Sequence, residues 1–155
     1  MAPRSSQSSG ADPRPCAERI LARRGHGREE LRRKLVRRGF DPAAVEALLQ
    51  NLAEQGVLDD AAYVREYARQ ALDKGHGSSY IRAKLASRGL RCTGPVCTAG
   101  EESASLRAFL ERRRLRPSAL TGPAERAKMQ RFLSGRGYSA AAVQSVLGQE
   151  SVECD

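Results

Sequence analysis

The sequence predicts an all-α fold, an elongated array of about three three-helix repeats in which the third helix of the second unit is irregular. Composition is the first reason. Of 155 residues 40% are apolar but only 5% aromatic, and Trp is absent, so Ala and Leu supply most of the core. Ala, Leu, Arg and Glu are good helix formers, and runs of Val, Ile and aromatic residues that would build strands are missing. The second reason is an internal repeat. Gly25-His26-Gly27 recurs fifty residues later as Gly75-His76-Gly77, and Lys34-Leu35-Val36-Arg37-Arg38-Gly39-Phe40 aligns at the same shift with Lys84-Leu85-Ala86-Ser87-Arg88-Gly89-Leu90. A third copy reads Phe132-Leu133-Ser134-Gly135-Arg136-Gly137-Tyr138. The third reason is helical punctuation, with caps and glycine stops at the places the repeat requires.

The elements follow in order. Residues 1–15 contain Pro, Ser and Gly without an apolar stretch and are expected to form a disordered tail rather than a signal peptide. The first unit, 16–58, opens with a helix from Ala17 to Arg24, stopped by a left-handed Gly25. A second helix runs from Arg28 to Arg38 with Leu31 and Leu35 on one face and Gly39 as stop. The third is capped by Asp41, with Pro42 in the tolerated first position. Val45, Leu48, Leu49 and Leu52 give it an amphipathic stripe. In the second unit, 59–105, Asp59 or Asp60 caps a helix carrying Tyr63, Tyr67 and Ala71. Ser78 or Ser79 caps the next, with Ile81 and Leu85 inward. Arg91-Cys92-Thr93-Gly94-Pro95 cannot continue a helix, so 91–105 is expected to be irregular, with helix resuming near Glu101. The third unit, 106–148, is interrupted between Pro117 and Pro123, and Ser139 should cap its last helix. Residues 149–155 form a C-terminal tail. A single three-helix unit has little apolar surface, so neighbours must stack or interlock.

The charge is large and unevenly placed. Lys and Arg number 27 against 18 Asp and Glu, a net charge of +9. Between Arg19 and Arg38 there are nine basic residues and two acidic ones; from Asp41 to Asp60 there are five acidic residues and no basic one. Between Arg107 and Arg136 the count is again nine against two. A solvated surface mixes signs, whereas segregated basic helices attract polyanions. On the second helix Arg28 and Arg32, Arg33 and Arg37, and Lys34 and Arg38 stand one turn apart and can follow a line of phosphates or carboxylates. The candidate contacts to a partner or to DNA are therefore Arg24, Arg28, Arg32, Arg33, Arg37 and Arg38, then Arg82, Lys84 and Arg88, then Arg131 and Arg136.

Enzyme and metal chemistry find little support. His26 and His76 occupy the same repeat position, where a turn role beside glycines explains both. Asp59-Asp60 precedes an apolar helix, as N-caps do. No phosphate loop, nucleophile elbow or HExxH occurs. Cys16, Cys92, Cys97 and Cys154 contain no CxxC pair, so a zinc site is not expected and reduced thiols in the cytoplasm are. No catalytic residue, metal or cofactor is assigned, and no stretch is long enough to span a membrane.

The assembled residues resemble the RecX family, regulators of the bacterial recombinase RecA. The resemblance rests on Arg24-Gly25-His26, Glu29-Glu30-Leu31 and Lys34-Leu35, and on Gly56-Val57-Leu58-Asp59-Asp60 with Tyr63 and Tyr67. It extends through Gly75, Ile81, Lys84-Leu85 and Arg88-Gly89-Leu90, covering 17–90 and, more weakly, 126–147. It implies a chain of three-helix repeats that binds along the groove of a RecA–DNA filament and restrains ATP hydrolysis, strand exchange or filament growth. It also implies contact with DNA, direct or through the filament, by a monomer. Two departures stand out: Gly27 replaces the family's small hydroxylated residue, which weakens a helix cap, and 91–105 replaces a repeat helix.

Overall fold

A computed structural model describes residues 10–149, and among these the regular structure is entirely helical. The elements are α1 (Arg14–Leu21), α2 (Arg28–Arg37), α3 (Pro42–Glu54), α4 (Asp60–Asp73), α5 (Ser78–Ser87), α6 (Ala99–Arg112), a 3-10 turn at Pro117–Ala119, α7 (Pro123–Gly135) and α8 (Ala140–Gln149). They form two compact units. One contains the residues up to Tyr63 together with Arg88–Leu90; the other contains Val64–Ser87 and the residues from Arg91 onward.

In the first unit α2 packs on both α1 and α3. Leu31, Leu35, Val45 and Leu49 are completely buried there, each contributing about 1.5–3 kcal/mol of apolar transfer energy. Asp41 caps α3 as the sequence predicts, accepting from the Ala44 amide at 3.0 Å, with Pro42 following. Gly39 ends α2 at φ +88°. In the second unit α6 and α7 both pack on α8, around Leu106, Phe109, Leu110, Leu133, Tyr138 and Val143. Ser139 caps α8 through the Ala142 amide at 3.2 Å.

Several expectations need correction. The tail predicted for 1–15 lies outside the described residues as far as residue 9, but Arg14 and Pro15 already belong to α1, which starts behind Pro13. That helix ends at Leu21, not Arg24, and Gly25 is not left-handed. The Tyr63 ring packs against it: a Cβ would stand 3.1 Å from Tyr63 Cδ2. The irregular segment expected over 91–105 stops at Thr98. There a capping box forms, with the Glu101 amide donating to Thr98 Oγ1 at 3.1 Å and the Thr98 amide to Glu101 Oε2 at 2.7 Å. This reciprocal pairing starts α6 earlier than periodicity alone suggests. The C-terminal tail expected at 149–155 lies outside the described residues beyond Gln149, which is still helical; Cys154 falls in that region.

Two helices are capped from outside themselves. At α2 the N-cap is Gly27, which has no side chain to offer. Asp59 caps its own helix by accepting from Ala62 at 2.9 Å, and its neighbour Asp60 reaches instead to the Arg28 amide at 2.8 Å. At α5 neither Ser78 nor Ser79 fills the expected role. Glu102, on the first turn of α6, accepts from the Ser78 amide at 2.8 Å, the Ser139 amide at 3.0 Å and Ser139 Oγ at 2.7 Å. The residue is only 4% exposed. Burial pushes its pKa up, but the hydrogen bonds from Ser78 and Ser139 more than offset this, and the net displacement is downward.

The glycines are needed for interlocking. Leu90, at the end of one repeat helix, lies over Gly27, and Tyr138 lies over Gly77, where a Cβ would stand 2.3 Å from the Tyr138 backbone. Gly137 turns the chain for this contact at φ +86°, against Tyr80.

Replacing Glu102 by Gln should destabilise the second unit by about 2–3 kcal/mol, the scale of charged hydrogen bonds removed from a buried acceptor. Thermal unfolding followed by circular dichroism checks this; an unchanged midpoint would remove Glu102 as the shared cap. Its contribution is present above the ordinary carboxylate pKa and is lost as pH falls through the lower folded value.

Candidate polyanion-binding groove

The basic block of the first unit divides into two faces. On one, Arg28 pairs with Glu46, while Arg32 and Arg33 both pair with Glu29 at 2.9 Å. These guanidiniums hold local carboxylates. On the other face, α1 and α2 border a groove of about 740 Å³ whose walls carry Arg19, Arg23, Arg24, Lys34, Arg37 and Arg38, with Cys16, Ile20 and His26 beneath. No acidic side chain lines it among the described residues. Arg23, Arg37 and Arg38 are exposed, and among the described residues no carboxylate lies within ion-pair distance of them.

Helical spacing builds this groove. Arg19 on α1 and Arg23 just beyond its end line one side, and Lys34 on α2 and Arg38 at its C-cap line the other. The apolar stripes of the same helices, Ile20 on α1 and Leu31 and Leu35 on α2, face the core and aim the cations outward.

A charged network forms the floor. Glu30 pairs bidentately with Arg24 and with Lys34 at 3.1 Å. His26 is 5% exposed; its Nδ1 lies 2.9 Å from the Arg24 carbonyl and its Nε2 lies 2.6 Å from Lys34 Nζ. An ammonium has only protons to offer, so Nε2 accepts and Nδ1 carries the ring hydrogen. His26 is therefore neutral, and its pKa lies below the ordinary histidine value, first through burial and then through nearby cations. Burial raises the Glu30 pKa, yet the bonds from Arg24 and Lys34 dominate and leave it lowered. The equivalent His76 stacks on Tyr80 at 3.9 Å between centroids and is likewise shifted down, chiefly by burial.

The remaining predicted site residues are not gathered with this groove. Arg82 donates to the Cys92 carbonyl at 2.7 Å, and Lys84 lies 5.6 Å from the Tyr80 ring centre. Arg88 donates to the Tyr63 hydroxyl. Arg136 donates to the Gly75 carbonyl at 2.7 Å and the Lys74 carbonyl at 3.2 Å, and covers the Phe109 ring at 4.5 Å. It closes the C-terminal end of α4. Arg131 is exposed on α7. Lys34 is marked in the sequence by its one-turn spacing from Arg38, whereas Arg19 and Arg23 belong to the basic block but are not among its candidate contacts; their four-residue spacing on either side of Ile20 is the signal that marks them. Among the described residues no group of three or more His, Cys, Asp or Glu is placed to hold a metal ion, and no helix is long and apolar enough to cross a membrane.

Burial lowers the pKa of both rings in the folded chain, while free histidine titrates near about 6.5. Between the folded and unfolded values the unfolded chain binds more protons, so stability should decline as pH is lowered from about 7 to about 5. Urea unfolding at the two pH values measures it; equal or greater stability in acid would contradict the neutral assignment.

Comparison with known proteins places the chain. The profile of the first three-helix domain of RecX matches residues 16–52, and that of the third three-helix domain matches 101–147. A "Regulatory protein RecX" of Pseudomonas fluorescens (strain SBW25) is 36% identical over 137 residues, covering 86% of this chain and 88% of the relative. One from Chromohalobacter salexigens is 37% identical over 136 residues, covering 83% and 86%. Among solved structures, the crystal structure of RecX from Lactobacillus salivarius superposes with a TM-score of 0.75 at 16% identity, over 89% of this chain and 94% of that one. The shared helices, the two domain profiles and the extent of the identity together mean that this chain belongs to the RecX family.

Proposed function

We propose that this chain is a non-enzymatic cytoplasmic regulator that binds the RecA–DNA filament as a monomer and restrains its ATPase, growth and strand exchange. The observation that carries this reading is the cation-lined groove of α1 and α2. Six cations converge there, several of them without a local carboxylate, in a family whose relatives are named as regulatory proteins. A partner with dense surface anion, nucleic acid or acidic protein, is what such a groove attracts. The other predicted cations act differently: Arg28, Arg32 and Arg33 are engaged with Glu46 and Glu29.

The decisive assay is RecA ATP hydrolysis on single-stranded DNA with increasing amounts of the chain. Hydrolysis should fall as the chain is added. Unchanged hydrolysis at concentrations that saturate DNA would leave the second reading, a DNA-binding helical-repeat protein without a recombinase partner, which the cation-lined groove also favours.

Within the groove, Arg37→Ala combined with Arg38→Ala should weaken filament binding roughly tenfold or more, at about 1 kcal/mol per exposed charge pair. Arg32→Ala combined with Arg33→Ala should weaken it less, because Glu29 already neutralises both. Co-sedimentation with the filament, beside circular dichroism, compares them. The reverse ranking would move the site to the opposite face of α2.

A further inference from the structure

The charge density and the floor of the groove specify more than a generic anion. Six cations line the groove and only Arg24 and Lys34 share a carboxylate, Glu30, so the site suits a densely charged ligand. Duplex DNA carries one charge per about 1.7 Å of axis, whereas an extended peptide with an acid at every residue carries one per about 3.3–3.6 Å. Among the described residues no Phe, Tyr or Trp lines the groove and the His26 ring is buried in its floor, so bases have no exposed ring to stack on. The fit is to phosphate backbone held without base contacts.

Lys34 connects this wall to the floor. Its ammonium points inward, 2.6 Å from His26 Nε2 and 3.1 Å from Glu30 Oε1, yet it also lines the groove. Turned toward a phosphate, it would leave His26 Nε2 with Glu30 Oε1 at 3.7 Å as its remaining acidic neighbour. We propose that the α1–α2 groove is a proton-linked site for phosphodiester backbone: a phosphate draws Lys34 outward, and a proton from solvent adds to His26 Nε2, which then pairs with Glu30. The bond from Lys34 to the ring breaks, a bond from the imidazolium to Glu30 forms, and the site gains one positive charge.

Every charged group facing His26 enters this exchange. Arg24 holds the ring's Nδ1 through its carbonyl and Glu30 through its guanidinium. Glu30 and Lys34 come from α2, and from the α1 side the Cys16 thiol with Arg19 and Arg23 shares the groove. The added cations oppose protonation of the empty site, and the bound phosphate screens them. The depressed pKa of the ring in the free protein agrees with that order of events.

The proposal uses the same groove as the regulatory reading, and its test contains no recombinase, so the two can fail separately. Fluorescence anisotropy of a labelled duplex of mixed sequence is titrated with the full chain at constant salt. Wild-type affinity should be about threefold to tenfold higher at about pH 6 than at about pH 8, the range in which a histidine proton is exchanged. His26→Gln, which still accepts from Lys34 but does not titrate, should lose most of that difference, and His76→Gln should keep it. Arg37→Ala with Arg38→Ala should reduce the slope of log affinity against log salt by nearly one for each phosphate no longer neutralised. Equal pH dependence in wild type and His26→Gln would overturn the proton linkage, and an unchanged salt slope would overturn the site. Poly-glutamate that displaces the duplex at equal charge would overturn the ligand class.

Should His26→Gln fail to fold, two-bond proton–nitrogen spectra of the wild-type chain read the ring directly. His26 should pass from the neutral Nδ1–H form to imidazolium when duplex is added at about pH 7. A ring that stays neutral at saturation would reject the proposal.

Discussion

Two helices of this chain begin at glycines that cannot cap them, and much of the packing depends on how that deficit is met. Gly77 must lack a side chain because a Cβ would stand 2.3 Å from the Tyr138 backbone, and the Leu90 side chain packs over Gly27. A helix start without a cap leaves backbone amides unpaired, which is costly where they are half-buried. The carboxylates that answer this come from the first turn of a later helix: Asp60 reaches the Arg28 amide and Glu102 reaches the Ser78 amide. Capping and interlocking are thus one constraint. Each links the start of a repeat's second helix to residues further along the chain.

This constraint explains which parts of the molecule are legible in the sequence. Asp41-Pro42, Ser139 and the Gly39 stop act within a few residues of themselves, so local pattern is enough. The fifty-residue repeat of Gly-His-Gly marks the interlocking positions without revealing their purpose. Asp60 and Glu102 act over 32 and 24 residues of separation, and no local rule identifies a cap that belongs to another helix. Gly27 reads as a weakened cap in the sequence; in the fold it is the surface on which the Leu90 side chain packs, with a Cβ there 2.8 Å from Leu90 Cδ1. The start of α6 departs from expectation for a smaller reason. Its capping box of Thr98 and Glu101 sits in a segment that Gly94 and Pro95 mark as broken.

The site is legible as charge and not as geometry. Composition locates the basic block, but pairing decides which of its members remain available. Glu29 and Glu46 engage Arg32, Arg33 and Arg28, while Glu30 holds Arg24 and Lys34 at the edge of the groove. Arg88 and Arg136 occupy matching places in the repeat and are bound to Tyr63 and to the end of α4. The same residue type at the same repeat position is therefore a joint in later copies, whereas Arg38 in the first copy lines a groove. Duplication supplied the arginines, and the environment of each copy determined their use.

The functional reading stands on the α1–α2 groove being the face presented to a polyanionic partner. Hydrogen–deuterium exchange of the full chain, free and bound to a RecA filament assembled on DNA, tests it most directly. Protection on binding should concentrate in peptides spanning Arg19–Arg38, with little change around Arg136. Protection confined to the second unit, with exchange across Arg19–Arg38 unaltered, would contradict it.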